Sequence, residues 1–124
     1  MGSREKKIGR WGEDLAADYL MEKGFTILER NVHSIYGEID LVTRLDAGQE
    51  PFLVFVEVKT RTSLRFGYPE QAVSDRKLEH LHQAIAHYLQ QHPEITLNWQ
   101  LDVIAVQQLD RDTEPEIRHF ENVI

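Results

Sequence analysis

Residues 52–61 form the stretch that most constrains how this chain folds. The first five, Phe52–Val56, are all apolar and rich in β-branched and aromatic side chains, a pattern typical of a strand buried on both faces. Glu57 and Lys59 follow, and they point to the same face because side chains alternate along a strand. Buried charges cost free energy unless they are paired, hydrogen-bonded or bound to a metal. The alternative is that the strand reaches solvent here and the two residues form a surface ion pair.

The preceding stretch supplies a candidate partner for these charges. Residues Gly37–Leu45 alternate between apolar and polar side chains and predict a second strand. The polar segment Asp46–Pro51, which contains Gly and Pro, predicts a hairpin loop between the two strands. Antiparallel pairing would therefore lay Asp40, early in its strand, beside Glu57 and Lys59, late in theirs.

Two carboxylates and a lysine at one end of a hairpin suit phosphodiester chemistry. Magnesium takes one or two protein carboxylates and keeps several of its waters. A lysine nearby can orient or help deprotonate an attacking water and can offset charge that develops on a phosphate. Asp40, Glu57 and Lys59 therefore predict a phosphodiester-cleaving site.

Several motifs give the chain a family resemblance: Gly-Glu-x-x-Ala at residues 12–16, Gly-Glu-Ile-Asp at 37–40, Phe-Val-Glu-Val-Lys-Thr-Arg at 55–61 and Phe-Gly at 66–67. From Gly9 to about Val106 the chain resembles the YraN-like family of uncharacterised bacterial proteins. More broadly, it resembles the PD-(D/E)xK nuclease superfamily and is similar to archaeal Holliday-junction resolvases. Ile39 stands where the superfamily motif is named for proline, a position that varies among its members.

The resemblance implies a restriction-endonuclease-like α-β-β-β-α-β core and a Mg²⁺ or Mn²⁺ cofactor. It implies that Asp40 and Glu57 bind the metal and that Lys59 assists the water. It also implies that Glu13 completes the acidic cluster, as in the resolvase branch. From the residues alone, an ordinary solvated Glu13 remains an alternative, because it lies about 120° from the centre of the apolar stripe of the first helix.

Periodicity elsewhere predicts an α/β fold with a mixed sheet packed against helices, in a single domain over residues 1–124. Helices are predicted from about Arg4 to Lys23, and from Ser74 or Asp75 to just before Pro93. Additional strands are predicted at Phe25–Val32, Leu97–Val106 and Ile117–Val123.

Charge is distributed unevenly along the chain. The net charge of −7 argues against a protein that coats nucleic acid through bulk electrostatics. Up to Lys77, however, 12 Lys and Arg face 13 Asp and Glu, whereas the remainder has 2 against 8. The predicted nucleic-acid contacts are the cations that follow the Glu57–Lys59 strand, namely Arg61, Arg65, Arg76 and Lys77. Phe66 and Tyr68, interleaved with them, could stack on a base or simply cover the core.

The favoured function is that of a metal-dependent endonuclease acting on branched or otherwise structured nucleic acid, DNA more than RNA. The chain has no cysteine, no apolar run long enough to span a membrane and no signal-like N-terminus, which predicts a cytoplasmic protein without a membrane partner. A homodimer is left open. The alternatives are a non-catalytic nucleic-acid-binding module of the same fold and a small protein-interaction domain. Asp40, Glu57 and Lys59 together favour the enzyme, since a binding module has little need of all three.

Overall fold

The chain folds into a five-stranded mixed sheet with a helix packed on each face. The computed structural model describes residues 3–46, 48 and 50–124. Besides a short 3₁₀ helix at Pro69–Ala72, the elements are α1 (Ser3–Glu22), β1 (Phe25–Ser34), β2 (Gly37–Leu45), β3 (Phe52–Arg61), α2 (Asp75–Gln91), β4 (Trp99–Gln107) and β5 (Glu116–Phe120).

The strands lie in the order β1-β2-β3-β4-β5. All neighbours pair antiparallel except β3 and β4, which are parallel. Parallel neighbours need a crossover connection rather than a tight turn, and here α2 makes the crossover from β3 to β4. The predicted α/β fold with a mixed sheet is thus confirmed.

Two apolar clusters lie on opposite faces of the sheet. Alternate β3 residues divide between them: Val54 and Val56 pack with α1, whereas Leu53 and Phe55 pack with α2. This is why β3 is apolar at successive positions, as its sequence predicts for a strand covered on both faces.

A buried polar network ties β5 to β4 and α1. Asp102 is 1% exposed, and its Oδ2 lies 2.6 Å from Nε2 of His119. The other ring nitrogen, Nδ1, lies 3.2 Å from the hydroxyl of Tyr19. The Oδ1 atom of Asp102 accepts hydrogen bonds from Gln100 Nε2 and from the backbone N–H of Asn122. Both carboxylate oxygens of the buried Asp102 therefore have partners, which offsets the cost of removing this group from water.

Most element boundaries agree with the predictions to within a few residues. The hydroxyl of Ser74 caps α2 by accepting a hydrogen bond from Lys77 N–H at 3.2 Å, as predicted. The last strand ends at Phe120, short of the predicted Val123, because Asn122 turns the chain with a φ of 50°. The predicted loop at Asp46–Pro51 includes Ala47 and Gln49, which lie outside the described residues. Neither described helix is long and apolar enough to cross a membrane.

Candidate active site

A gap opens between β2 and β3 at the position of the predicted carboxylates. The two strands pair from Leu45 with Phe52 as far as Leu41 with Val56. Beyond that point no further pair forms between them, although residues 37–40 and 57–61 are all described. β2 continues along β1, while β3 continues along β4. The resulting opening, called here the strand gap, has Asp40 on one side and Glu57 on the other.

Where the backbone pairing between β2 and β3 ends, the side chain of Asp40 makes a hydrogen bond to β3 instead. Its Oδ2 accepts a hydrogen bond of 2.7 Å from the backbone N–H of Val58. This bond satisfies a donor that would otherwise be unpaired where the strands part. It also fixes the Asp40 carboxylate against β3, beside Glu57, so the predicted convergence of the two carboxylates is present.

Glu57 is buried rather than solvated. The residue is only 3% exposed. Lys77 Nζ lies 3.4 Å from its Oε2, but the geometry is too poor for a hydrogen bond, so this oxygen has no hydrogen-bond partner among the described residues. The alternative of a Glu57–Lys59 surface ion pair is wrong, because Glu57 does not reach solvent and its nearest cation comes from α2. A buried carboxylate oxygen without a hydrogen bond is costly in the absence of a further cation.

The electrostatics of Asp40 reflect this crowding. Burial, followed by the neighbouring carboxylate of Glu57, raises the pKa of Asp40 from its ordinary value of 3.8 to about 8. The N–H of Val58 and the charge of Lys59 oppose this rise. Without an added cation, the site therefore favours the protonated form of Asp40.

This raised pKa predicts a specific pH dependence for the metal-free protein. A carboxyl whose pKa is higher in the folded than in the unfolded state stabilises the fold at low pH. That stability is lost as the pH rises from 3.8 toward about 8. In EDTA, we expect Asp40→Asn to remove this part of the decline in melting temperature, because the amide oxygen can still accept the Val58 hydrogen bond.

The matched control for this pH prediction is Asp46→Asn, since Asp46 is an exposed residue that pairs with Arg44 at the other end of β2. Melting curves of the parent and Asp40→Asn that run parallel over this pH range would contradict the assignment.

Glu13 approaches the site from α1. Its side chain is 12% exposed, so the alternative of a solvated glutamate is wrong. Arg30 Nε donates to Oε1 at 3.2 Å, and Asn31 Nδ2 donates to both oxygens, at 2.9 and 3.0 Å. Burial raises the pKa of Glu13, the hydrogen bond from Arg30 opposes the rise, and the charge of Asp40 adds to it. The two carboxylates are therefore electrostatic neighbours.

Asn31 is a site residue that sequence reasoning missed. Its φ of 54° lies in the left-handed region, which asparagine adopts more readily than most residues. Arg30 pairs with Leu41 and Val32 with Ile39, so this irregular residue of β1 lies opposite Asp40. An asparagine inside a strand pattern carries no sequence signal of its own.

Gly12 sets how closely α1 approaches β3. A Cβ atom at this position would overlap the side chain of Thr60, with Cβ and Cγ2 of Thr60 both at 2.9 Å. Ala16, one turn later, is fully buried in the cluster beneath α1. The small residues of the Gly-Glu-x-x-Ala motif thus let the helix lie against the sheet, and this contact positions Glu13.

Lys59 lies on the Glu57 side of the strand gap. It is half-buried and pairs with Ala105 of the neighbouring strand β4. Ala105 in turn pairs with Arg118 of β5. Side chains of neighbouring paired residues share a face, so Lys59 and Arg118 flank the small Ala105. The charge of Lys59 lowers the pKa of Asp40, which makes it an electrostatic neighbour of the carboxylate pair.

The four predicted nucleic-acid contacts have different surroundings. Arg65 and Arg76 are exposed, and the Arg65 guanidinium lies 5.5 Å from the ring centre of Phe66. Arg61 is half-buried, and its Nε has no hydrogen-bond partner among the described residues. Lys77 faces Glu57. Their role as phosphate contacts stays a prediction.

Phe66 and Tyr68 do not cover the core. Phe66 is 76% exposed and Tyr68 44%, so that alternative is wrong. Arg118, a second residue that sequence reasoning missed, braces their loop through two hydrogen bonds of 2.8 Å to Glu70. Its guanidinium also lies 5.2 Å from the ring centre of Tyr68. No signal in the sequence could have linked Arg118 to a loop 48 residues earlier.

The donor set of the strand gap fits a hard divalent cation. No group of three or more His, Asp or Glu side chains is gathered for metal binding in residues 3–46, 48 and 50–124. Magnesium, however, needs only one or two carboxylates and completes its shell with water. Asp40 and Glu57 could supply these ligands, since Oε2 of Glu57 is buried without a hydrogen bond.

Comparison with known proteins identifies relatives over nearly the whole chain. Residues 12–106 match the model of the family described as Uncharacterised protein family UPF0102. A UPF0102 protein of Syntrophomonas wolfei is 46% identical over 117 residues, 94% of this chain and 96% of the relative. A UPF0102 protein of Syntrophotalea carbinolica is 42% identical over 91% of this chain and 87% of the relative. One of Trichlorobacter lovleyi is 38% identical over 98% and 93%.

Proposed function

The chain belongs to the uncharacterised protein family UPF0102, and we propose that it is a metal-dependent endonuclease for branched or otherwise structured nucleic acid. This membership confirms the predicted YraN-like affiliation. The observation that carries the proposed function is the strand gap, where the carboxylate of Asp40 lies beside that of the buried Glu57. Two carboxylates held close together in a buried site need a compensating cation when both are ionised.

Mg²⁺ or Mn²⁺ is the proposed cofactor, with Asp40 and Glu57 as its ligands. A bound divalent ion would activate the attacking water and neutralise charge on the phosphate. Asp40 is aimed into the gap by the N–H of Val58. Glu13, fixed by Arg30 and Asn31, lies within the electrostatic range of Asp40 at the α1 side. The Asp40 carboxylate is thus oriented by a backbone N–H and the Glu13 carboxylate by two neighbouring side chains. A preorganised site requires such fixed orientations.

Lys59 supplies the positive charge that the reaction itself needs. It lies on the face of β3 that carries Glu57 and in register with Ala105 of β4, so it is held on a central strand rather than on a loop. A lysine there can orient the water and stabilise the charge that develops on the scissile phosphate. DNA is the preferred substrate class over RNA.

The resemblance to PD-(D/E)xK nucleases and archaeal Holliday-junction resolvases supports the same proposal. It extends, residue by residue, to Glu13, Asp40, Glu57 and Lys59. The antiparallel β2–β3 hairpin followed by a parallel β4 also agrees with the order of elements that the resemblance implies.

A second candidate function is a nucleic-acid-binding module without catalysis. The observation in its favour is Lys77, whose ammonium lies 3.4 Å from Glu57. A lysine in this position can neutralise the carboxylate without a metal. In that case the strand gap would be a structural ion-pair site, and the exposed arginines alone would bind nucleic acid.

Cleavage of a substrate panel tests the proposed function. Branched, nicked, duplex and single-stranded DNA, with matching RNAs, are incubated with Mg²⁺ or Mn²⁺. We expect metal-dependent cleavage, highest on the branched DNA, that Asp40→Asn abolishes and the exposed-loop variant Asp46→Asn retains. Absence of cleavage across the panel, or equal cleavage by Asp40→Asn, would exclude the endonuclease.

Calorimetric titration with Mn²⁺ separates the two candidate functions. The endonuclease predicts binding that is lost in Glu57→Gln, and a thermal stabilisation of about 2.7 kcal/mol at a hundredfold excess over Kd. Glu22→Gln, which removes an exposed carboxylate at the end of α1, is the matched control. A parent protein that binds no Mn²⁺ would favour the binding module.

A further inference from the structure

The N-terminal half of α1 borders a cavity that is separate from the strand gap. Its volume is about 610 Å³, within the range of ligand pockets. Three cations line it, Arg4 and Lys7 from α1 and Arg111 from the β4–β5 loop. Its apolar wall comes from Ile8, Trp11 and Leu109. We call this cavity the α1 groove.

The side chains that line the α1 groove carry a net positive charge, although the chain as a whole is acidic. None of the groove's lining residues is Asp or Glu, although the whole chain has a net charge of −7. Within residues 3–46, 48 and 50–124, none of its three cations forms a salt bridge. The Asp110 carboxylate beside Arg111 is used within its own loop, where Oδ1 accepts from the N–H of Asp112. The groove therefore suits an anion.

Its apolar wall adds a second requirement to the ligand. Trp11 is half-buried and also packs against the cluster under α1, so its indole is a fixed part of the wall rather than a mobile side chain. An indole beside several cations suits a group with both a π-face and phosphates. Duplex DNA offers phosphates, but each of its bases is covered by the bases stacked above and below it. An unpaired strand exposes its phosphates and the faces of its bases.

The α1 groove is also placed to receive a strand that passes the strand gap. Trp11 and Glu13 are two residues apart on α1 and therefore point to opposite sides of the helix, so the connection between the groove and the strand gap is made by β3. Thr62, which follows the end of β3, lines the groove as well. Thr62 is three residues beyond Lys59, so about 10 Å of extended chain separates the groove from the candidate active site.

We propose that the α1 groove binds an unpaired nucleic-acid strand, with a base against Trp11 and phosphates at Arg4, Lys7 and Arg111. This inference rests on the proposed function for the class of substrate, and it gives that substrate a feature: an unpaired segment beside the scissile phosphate. Branched nucleic acid supplies such a segment where its helices meet.

The test uses Trp11 as its own reporter. The chain has two tryptophans, and Trp99 lies on the other face, 5.8 Å from the Phe55 ring. In a Trp99→Phe background, single-stranded oligothymidylate is titrated in EDTA, so that no cleavage occurs. We expect quenching of the Trp11 fluorescence, and much weaker quenching by a duplex of equal length.

Charge variants locate the phosphates. Arg4→Gln with Lys7→Gln should weaken binding about tenfold, because each removes a charged contact, and should make the negative slope of log K against log salt shallower by about 1.4. The matched control is Lys6→Gln with Arg10→Gln, which removes the same charge from the same helix at positions that do not line the groove. This control pair should change the affinity less than twofold.

Three outcomes would overturn the proposal. They are binding of a labelled oligothymidylate without quenching, equal weakening by both charge pairs, and equal quenching by the duplex. Because the titration contains no divalent ion, it is independent of catalysis. Failure of the cleavage panel with intact quenching would remove the endonuclease and leave the groove, whereas cleavage without quenching would do the reverse.

Discussion

Lys59→Ala is expected to lower the rate of single-turnover cleavage by about 10²–10⁴-fold, the usual contribution of general acid–base assistance. The reason is that Lys59 acts on charge that develops only in the transition state, while the metal ligands Asp40 and Glu57 are untouched. Affinity for Mn²⁺ and for the substrate should therefore change much less than the rate. The measurement is cleavage of the best panel substrate at saturating protein and metal.

A matched lysine variant separates this effect from a general loss of charge. Lys23→Ala removes a lysine at the end of α1, where its ammonium lies 5.1 Å from the Tyr19 ring centre, away from the strand gap. It should cleave at the parental rate. If Lys59→Ala cleaves as fast as Lys23→Ala, Lys59 has no part in the chemistry. An effect confined to Kd would make it a binding residue instead.

Gly12→Ala is expected to lower the free energy of unfolding by about 1–3 kcal/mol, the range for overpacking a close contact. The new Cβ would overlap Oγ1 of Thr60, and rotating that side chain gives no relief because Cβ and Cγ2 are also only 2.9 Å away. The helix must then move off the sheet and take Glu13 with it. Chemical denaturation measures the loss, and cleavage by the folded fraction should fall as well.

Gly9→Ala is the matched control for this prediction. It makes the same change three residues earlier in α1, where a Cβ would meet nothing within 4 Å. Replacing glycine by alanine inside a helix then stabilises by about 0.5–1 kcal/mol. The two variants should therefore have effects of opposite sign. Stabilisation by both would mean that α1 does not lie as close to β3 as described.

The fold could largely be predicted because its signals are local. The unbroken apolar run of Phe52–Val56 indicates a strand covered on both faces, and both clusters of the core do use alternate residues of β3. Ser74 indicates the start of α2 through its capping hydroxyl. Errors occurred at ends such as that of β5, where the left-handed Asn122 stops the strand without a pattern that marks it.

The candidate site was predictable only in its chemical composition. Strand alternation places Glu57 and Lys59 on one face, and a hairpin brings Asp40 to the same end. Neither strand alternation nor the hairpin predicts that the pairing of β2 and β3 ends at Leu41 and Val56. Nor does either predict that the Val58 N–H donates to Asp40. Where a ladder ends depends on twist and on packing from both faces, which a local pattern does not contain.

The sequence by itself therefore determined the strands, the helices and the residue types that can hold a metal and assist a water. Only the tertiary structure decided which side chains these residues contact. Asn31 and Arg118 donate hydrogen bonds to Glu13 and Glu70, Lys77 lies against Glu57, and Arg111 lines the same groove as Arg4 and Lys7. The physical reason is the distance along the chain over which each effect acts. Periodicity and capping act over one or two turns of chain, whereas these contacts join residues brought together by the packing of α1, α2 and β5 around one sheet.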